Sequence, residues 1–131
     1  MAERWTDEQL RQVVMLVARL YLEVERGLRP RSVLRRFLTG DADAAQHAVG
    51  LSRFPRGGPV SPDDLSRLAF CRATERRVFA ALAERQEEGR WGALLLELRA
   101  DARGVWRVTE LTRAQDRNLV HDYPVRQLQE R

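Results

Sequence analysis

A chain of 131 residues, 44% hydrophobic and 32% charged, is sized for one soluble domain with its own core and no need of metal or disulfide staples. All 23 basic residues are arginine, with no lysine, no isoleucine and a single asparagine, Asn118. That bias fits a GC-rich genome, and it lifts the pI to about 10.4 while the formal charge stays at a modest +4. No apolar run nears the roughly 20 residues of a membrane span, the start lacks a signal-peptide pattern, and Cys71 has no second cysteine to pair with. A cytoplasmic protein without membrane insertion is the expectation.

Residues 5–28 carry the strongest local signal. Thr6 and Gln9 are spaced for a capping box, with Trp5 and Leu10 placed as a hydrophobic staple. Leu10, Val13, Val14, Val17, Leu20, Tyr21, Val24 and Leu28 recur at helical spacing and form one apolar stripe. Gly27 suits a left-handed C′ position and Pro30 stops the helix, which predicts a rod of about 20 residues, roughly 30 Å long. Met15, Ala18 and Leu22 make a second, smaller apolar side.

Val33, Leu34, Phe37 and Leu38 share a face and predict a short helix ended by Gly40, with Arg31, Arg35 and Arg36 outside. Asp41 or Asp43 is placed to cap another short helix through Ala44, Ala45, Ala48 and Val49. Residues 50–64 are rich in Gly, Pro and Ser and read as a connection inside one domain spanning 1–114. Leu68, Phe70 and Cys71 allow a short strand.

Residues 74–88 conflict. Local propensity and a Thr74 cap favour a helix, whereas Val78, Ala80 and Leu82 alternating with Phe79, Ala81 and Ala83 fit a strand apolar on both faces. The β signal is clearest beyond. Leu94, Leu96 and Leu98 alternate with Ala93, Leu95 and Glu97, a turn follows at 101–104, and residues 105–112 form a strand rich in β-branched and aromatic types. Residues 115–131 read as a polar C-terminal tail or short docking helix.

Leu20-Tyr21-Leu22-Glu23-Val24, Arg29-Pro30-Arg31 and Val33-Leu34-Arg35-Arg36-Phe37-Leu38-Thr39 resemble the N-terminal half of an actinobacterial family of small basic Ala/Arg-rich proteins of unknown function. The hairpin from Ala93-Leu94-Leu95-Leu96-Glu97-Leu98-Arg99 to Trp106-Arg107-Val108-Thr109-Glu110-Leu111 is similar to that family's C-terminal half. The resemblance covers about residues 10–113 and implies that 75–86 is a strand. It also implies an α+β fold, a long N-terminal helix and two short helices on a curved antiparallel sheet of 3–4 strands, as in NTF2-like and cystatin-like cones. Genes of that family often lie near the one for the SecA translocase motor, which makes SecA-dependent export an expected connection. Fold alone does not assign the task.

Candidate chemistry is sparse. His47 with Asp41 and Asp43 matches no ligand spacing, His121 with Asp122 sits in the polar tail, and Cys71 on an apolar strand reads as a buried inert thiol. Glu97 and Glu110 can face each other across the hairpin, where Arg99 or Arg107 would make solvated salt pairs. No catalytic residue, cofactor or metal is assigned. Arg29, Arg31, Arg35 and Arg36 form the densest basic patch, without the aromatic platform or Gly-rich loop of nucleic-acid or phosphate binders. If Leu94, Leu96 and Leu98 face the long helix, then Phe79, Ala81, Ala83, Ala93 and Leu95 form an apolar face on the other side, expected to bury about 800 Å² per partner against a second copy or another protein, with cover by the C-terminal tail as the alternative. The expected function is a non-enzymatic interaction module, a homodimer through that sheet face. The alternatives are a basic protein binding nucleic acid through the Arg patch, and a small-ligand binder or enzyme in an NTF2-like pocket.

Overall fold

A computed structural model describes residues 5–43, 59–85, 90–116 and 118–129. Helix α1 spans Asp7–Glu25 and begins as its sequence requires: the Thr6 hydroxyl accepts the Gln9 N–H, and the Gln9 side chain accepts the Thr6 N–H at 2.8 Å. Leu10 is buried, while Trp5 stays 43% exposed. The helix ends in a Schellman motif. Gly27, at φ +74°, donates to the Val24 carbonyl, and Leu28 donates to the Glu23 carbonyl at 2.9 Å. Leu28 therefore leaves the predicted stripe and is 48% exposed.

The return after α1 is tighter than two regular short helices. Arg31–Leu34 is a 3-10 turn, and Phe37 and Thr39 exchange backbone hydrogen bonds with Val108. Thr39 then caps a helical turn by accepting the Ala42 N–H, with Gly40 at its start. Gly40 opens this turn rather than closing the one before it, and the cap is Thr39, not Asp41 or Asp43. The predicted helix through Ala44, Ala45, Ala48 and Val49, together with His47, lies outside the described residues. In the connection, Ser61 caps a 3-10 turn at Pro62–Asp64.

Four antiparallel strands follow in chain order as an open sheet: β1 Leu65–Thr74, β2 Arg77–Arg85, β3 Trp91–Ala100 and β4 Trp106–Ala114. The fold is α+β. Residues 77–85 are a strand, and the reason is visible at the turn before it. Thr74 pairs directly with Arg77, so Glu75 and Arg76 make a two-residue reversal, with the Thr74 hydroxyl accepting the Arg76 N–H. Packing between β1 and β3 then overrides helical propensity. At the reversal between β3 and β4, the exposed Asp101 carboxylate accepts the Arg103 and Val105 N–H groups at 2.8 and 3.1 Å, which holds it below the usual carboxylate range.

Alternation sorts the sheet into two faces. Val78, Ala80, Leu82, Leu94, Leu96, Leu98, Val108 and Leu111 face α1 and pack with Leu10, Val14, Val17, Tyr21 and Val24. Ala81, Ala83, Ala93 and Leu95 face away. Residues 115–131, read as polar, contain helix α2, Leu119–Gln129, with Pro124 inside it. Val120, Tyr123 and Pro124 fall at i, i+3 and i+4 on one face, and Val120 is 1% exposed against the second apolar cluster. The protein is thus three layers, α1, sheet and α2. Among the described residues, no helix is long and apolar enough to cross a membrane.

Candidate functional site

The outer face of the sheet is a trough with a floor of alanines. Ser66 pairs with Ala83, Ala83 with Ala93 and Ala93 with Ala114, so one row of small side chains crosses all four strands, and beside it Ala69 pairs with Ala81, which pairs with Leu95. Such a floor lets a helix approach closely. Leu119, Val120 and Tyr123 of α2 lie on it, with Trp91 packed at one end. At the other end the Tyr123 ring meets Phe79 edge to face, centroids 5.9 Å apart. Burial, with Glu110 and Glu97 close by, pushes the Tyr123 phenol above its ordinary range. Phe79, Ala81, Ala83, Ala93 and Leu95, expected to meet a second copy, are therefore covered by the chain's own α2.

Beside this trough Glu97 is 5% exposed, not solvated. It accepts from Arg77 Nε at 2.7 Å and also from Arg77 Nη2, from Arg99 Nε at 3.0 Å and from the Thr109 hydroxyl at 2.6 Å. Burial alone would raise its pKa, but the Thr109 and Arg77 hydrogen bonds outweigh it and hold the carboxyl below the usual range. Glu110 is its register partner and Arg99 one of its cations, as expected, and the other cation is Arg77.

On the inner face, ionisable groups meet where the sequence reading placed mostly Leu and Val. Arg113 donates from Nε and Nη2 to the two carboxylate oxygens of Glu84 at 2.7 and 2.6 Å. It also donates from Nη1 to Glu25 Oε1 at 2.8 Å and from Nη2 to Glu25 Oε2. The guanidinium lies 5.3 Å from the Tyr21 ring centroid. From β4 to β2 it spans two strand spacings, about 9.6 Å. The path is open because Gly92, opposite Glu84, has no side chain. Burial disfavours the charge on Arg113, but the hydrogen bonds of Glu84 and Glu25 win and raise its pKa. Burial, and the hydrogen bond and charge of Glu25, raise the Tyr21 phenol against the pull of Arg113. Next to this group Arg26 donates to Asp64 at 2.9 Å and to the Pro59 carbonyl at 2.9 Å.

The signal for this cluster is in the alternation. Glu84 continues the inward series Val78, Ala80, Leu82, Arg113 lies two residues beyond inward Leu111, and Glu25 is one turn beyond Tyr21. The expected basic patch is broken up by partners: Arg29 pairs with Glu23 at 3.0 Å, and Arg31, with only 17% of its side chain exposed, pairs with Asp43. Arg35 and Arg36 are exposed. Cys71 is half-buried rather than sealed in the core. Among the described residues no three His, Cys, Asp or Glu side chains are placed to hold a metal ion. Comparison of the chain with protein-family models, curated proteins and solved structures returns no match.

Proposed function

We propose that the protein is a non-enzymatic interaction module whose docking surface is the outer face of the sheet. The observation that supports this is the alanine-floored trough, which already seats one amphipathic helix through Val120 and Tyr123. A groove with this floor and aromatic ends has the chemistry for helix-in-groove recognition, so a partner helix competes with or replaces α2. A homodimer through this face is one form of that reading. The family resemblance adds the SecA motor as the heterologous partner to test. Purified SecA is titrated against the full chain in biolayer interferometry, alongside Ala93→Glu, which puts a carboxylate on the trough floor and leaves the inner face untouched. Saturable binding by the wild type that Ala93→Glu abolishes supports the export connection. An interaction module falls if the trough takes neither a second copy nor another protein's helix.

A second reading, a small-ligand site of the NTF2-like kind, is favoured by the convergence of Tyr21, Glu25, Glu84 and Arg113. It carries less weight because Nε, Nη1 and Nη2 of Arg113 are all engaged by the two carboxylates, and a ligand has to displace one of them. Nucleic-acid binding rests on Arg35 and Arg36 once Glu23 and Asp43 have taken Arg29 and Arg31, and it predicts affinity that falls steeply with salt.

A further inference from the structure

We propose that the sheet carries, at the end where β3 turns into β4, a binding site for a phosphate monoester dianion built on Arg99 and Arg107. The site lies beyond the trough and does not depend on what fills the trough. Thr74, Arg77, Arg99 and Arg107 pair in turn across β1, β2, β3 and β4, so one register row sets three arginines on neighbouring strands. Directly opposite residues share a face of the sheet, and neighbouring strands lie about 4.8 Å apart, which brings Arg99 and Arg107 within reach of one small anion. Helix α2 packs over β1, β2 and β3 and leaves both of these arginines exposed.

A buried anchor holds the row. One Glu97 carboxylate oxygen accepts from Arg77 Nε at 2.7 Å and the other from Arg99 Nε at 3.0 Å. The Arg77 guanidinium also lies 4.7 Å from the Phe79 ring centroid, so it is fixed from two sides. With Nε on Glu97, Arg99 keeps Nη1 and Nη2 for a ligand, and 52% of its side chain is exposed. Among the described residues, the Arg107 side chain has no hydrogen bond and no ion pair. Arg103, exposed in the adjoining turn, is a further cation close to Arg107, since both act on the Asp101 carboxylate.

Guanidinium groups take oxyanions, and the number of oxygens selects among them. A carboxylate has two and is filled by one guanidinium, whereas a phosphate monoester has three and about two charges, enough to engage Arg99 and Arg107 together. The opposing charges are Glu97, Asp101 and Glu110. Glu97 lies beneath the arginines, and its lowered pKa keeps it ionised as their anchor. Asp101 accepts the N–H groups of Arg103 and Val105 in its own turn. Glu110, exposed and level with Glu97, is the charge that repels a bound anion.

The test titrates the full, isotope-labelled chain at about pH 8 with inorganic phosphate, methyl phosphate and dimethyl phosphate, read by NMR at the arginine Nε–Hε groups. Saturable shifts are expected at Arg99 and Arg107 and not at Arg35 and Arg36, which are exposed elsewhere. Arg107→Gln, at an exposed side chain, should weaken binding at least about tenfold. Glu110→Gln should strengthen it about threefold by removing a like charge. Dimethyl phosphate, a diester with one charge and two terminal oxygens, should bind at least about tenfold more weakly than methyl phosphate. Tighter binding of methyl phosphate than of inorganic phosphate assigns the site to a phosphorylated organic molecule, and the reverse order assigns it to inorganic phosphate; either supports the site. Equal shifts at Arg35 and Arg36 in the unaltered protein overturn it, as does a diester that binds as well as the monoester. Unchanged affinity in a folded Arg107→Gln overturns it too.

Discussion

Replacing Arg113 by Ala tests whether the inner-face cluster holds the fold together. The substitution removes the cation between Glu84, 1% exposed, and Glu25, 8% exposed, leaving two carboxylates that water barely reaches. Breaking a buried ion pair from one side costs about 3–5 kcal/mol, and the 29% exposure of the Arg113 side chain places this case in the lower half, about 3–4 kcal/mol. With an unfolding entropy of about 2.1 cal/mol/K per residue, 131 residues give roughly 0.28 kcal/mol/K, so the melting temperature should drop by about 11–15 °C. Urea unfolding followed by tryptophan fluorescence measures the loss directly, because Trp91 and Trp106 sit on β3 and β4. Changing Arg113, Glu25 and Glu84 together to Met should restore most of the stability, since no charge is then stranded. A loss below about 1 kcal/mol for Arg113→Ala would refute the argument, because that is the range of a solvated surface pair.

The remaining expectations are smaller in scale. Gly27→Ala should destabilise by about 1–2 kcal/mol in chemical denaturation through backbone conformation alone, because no atom lies within 4 Å of the added methyl; a neutral result would remove the Schellman end as a stabilising feature. Tyr21 and Tyr123 account for both tyrosines of the chain, and both phenols are raised, so the phenolate absorbance near 295 nm should develop only above pH 10. A raised folded-state pKa favours the neutral phenol, so this stability is present below about pH 10 and is lost as pH rises beyond it. A tyrosine that titrates normally while the circular dichroism stays native would contradict the burial. Glu97 behaves in the opposite sense: its lowered pKa contributes stability above about pH 4.3 that disappears as pH falls through the folded value. Glu97→Gln should flatten the acid limb of the stability curve, measured by urea midpoints between pH 2 and 6.

Much of the first half was legible because its determinants are local. The Thr6 and Gln9 cap, the apolar stripe and the role of Gly27 depend on residues a few positions apart, as does the Leu-rich hairpin. What stayed hidden depends on partners far away in the chain. For residues 77–85 local propensity alone left helix and strand in conflict, the strand was implied by the resemblance, and it is the strands on either side and the tight Glu75-Arg76 reversal that make them β. Arg31 looked solvated until Asp43 came back to meet it. The outer sheet face was assigned first to a second copy or another protein, with the C-terminal tail as the alternative, because the polar composition of residues 115–131 concealed the spacing of Val120, Tyr123 and Pro124. For the ionisable cluster, the alternation needed only to be followed one position further, from Leu82 to Glu84 and from Leu111 to Arg113.

The order of elements along the chain has a temporal consequence. Each strand neighbours the one made just before it, and hairpins close in about 1–10 µs, so the sheet can assemble as soon as β4 has left the ribosome. Helix α2 begins at Leu119, only five residues after β4 ends at Ala114, so the segment that covers the alanine floor leaves the ribosome directly behind the last strand. The cover is therefore within reach as soon as the floor is complete, which shortens the time that apolar face spends open to water.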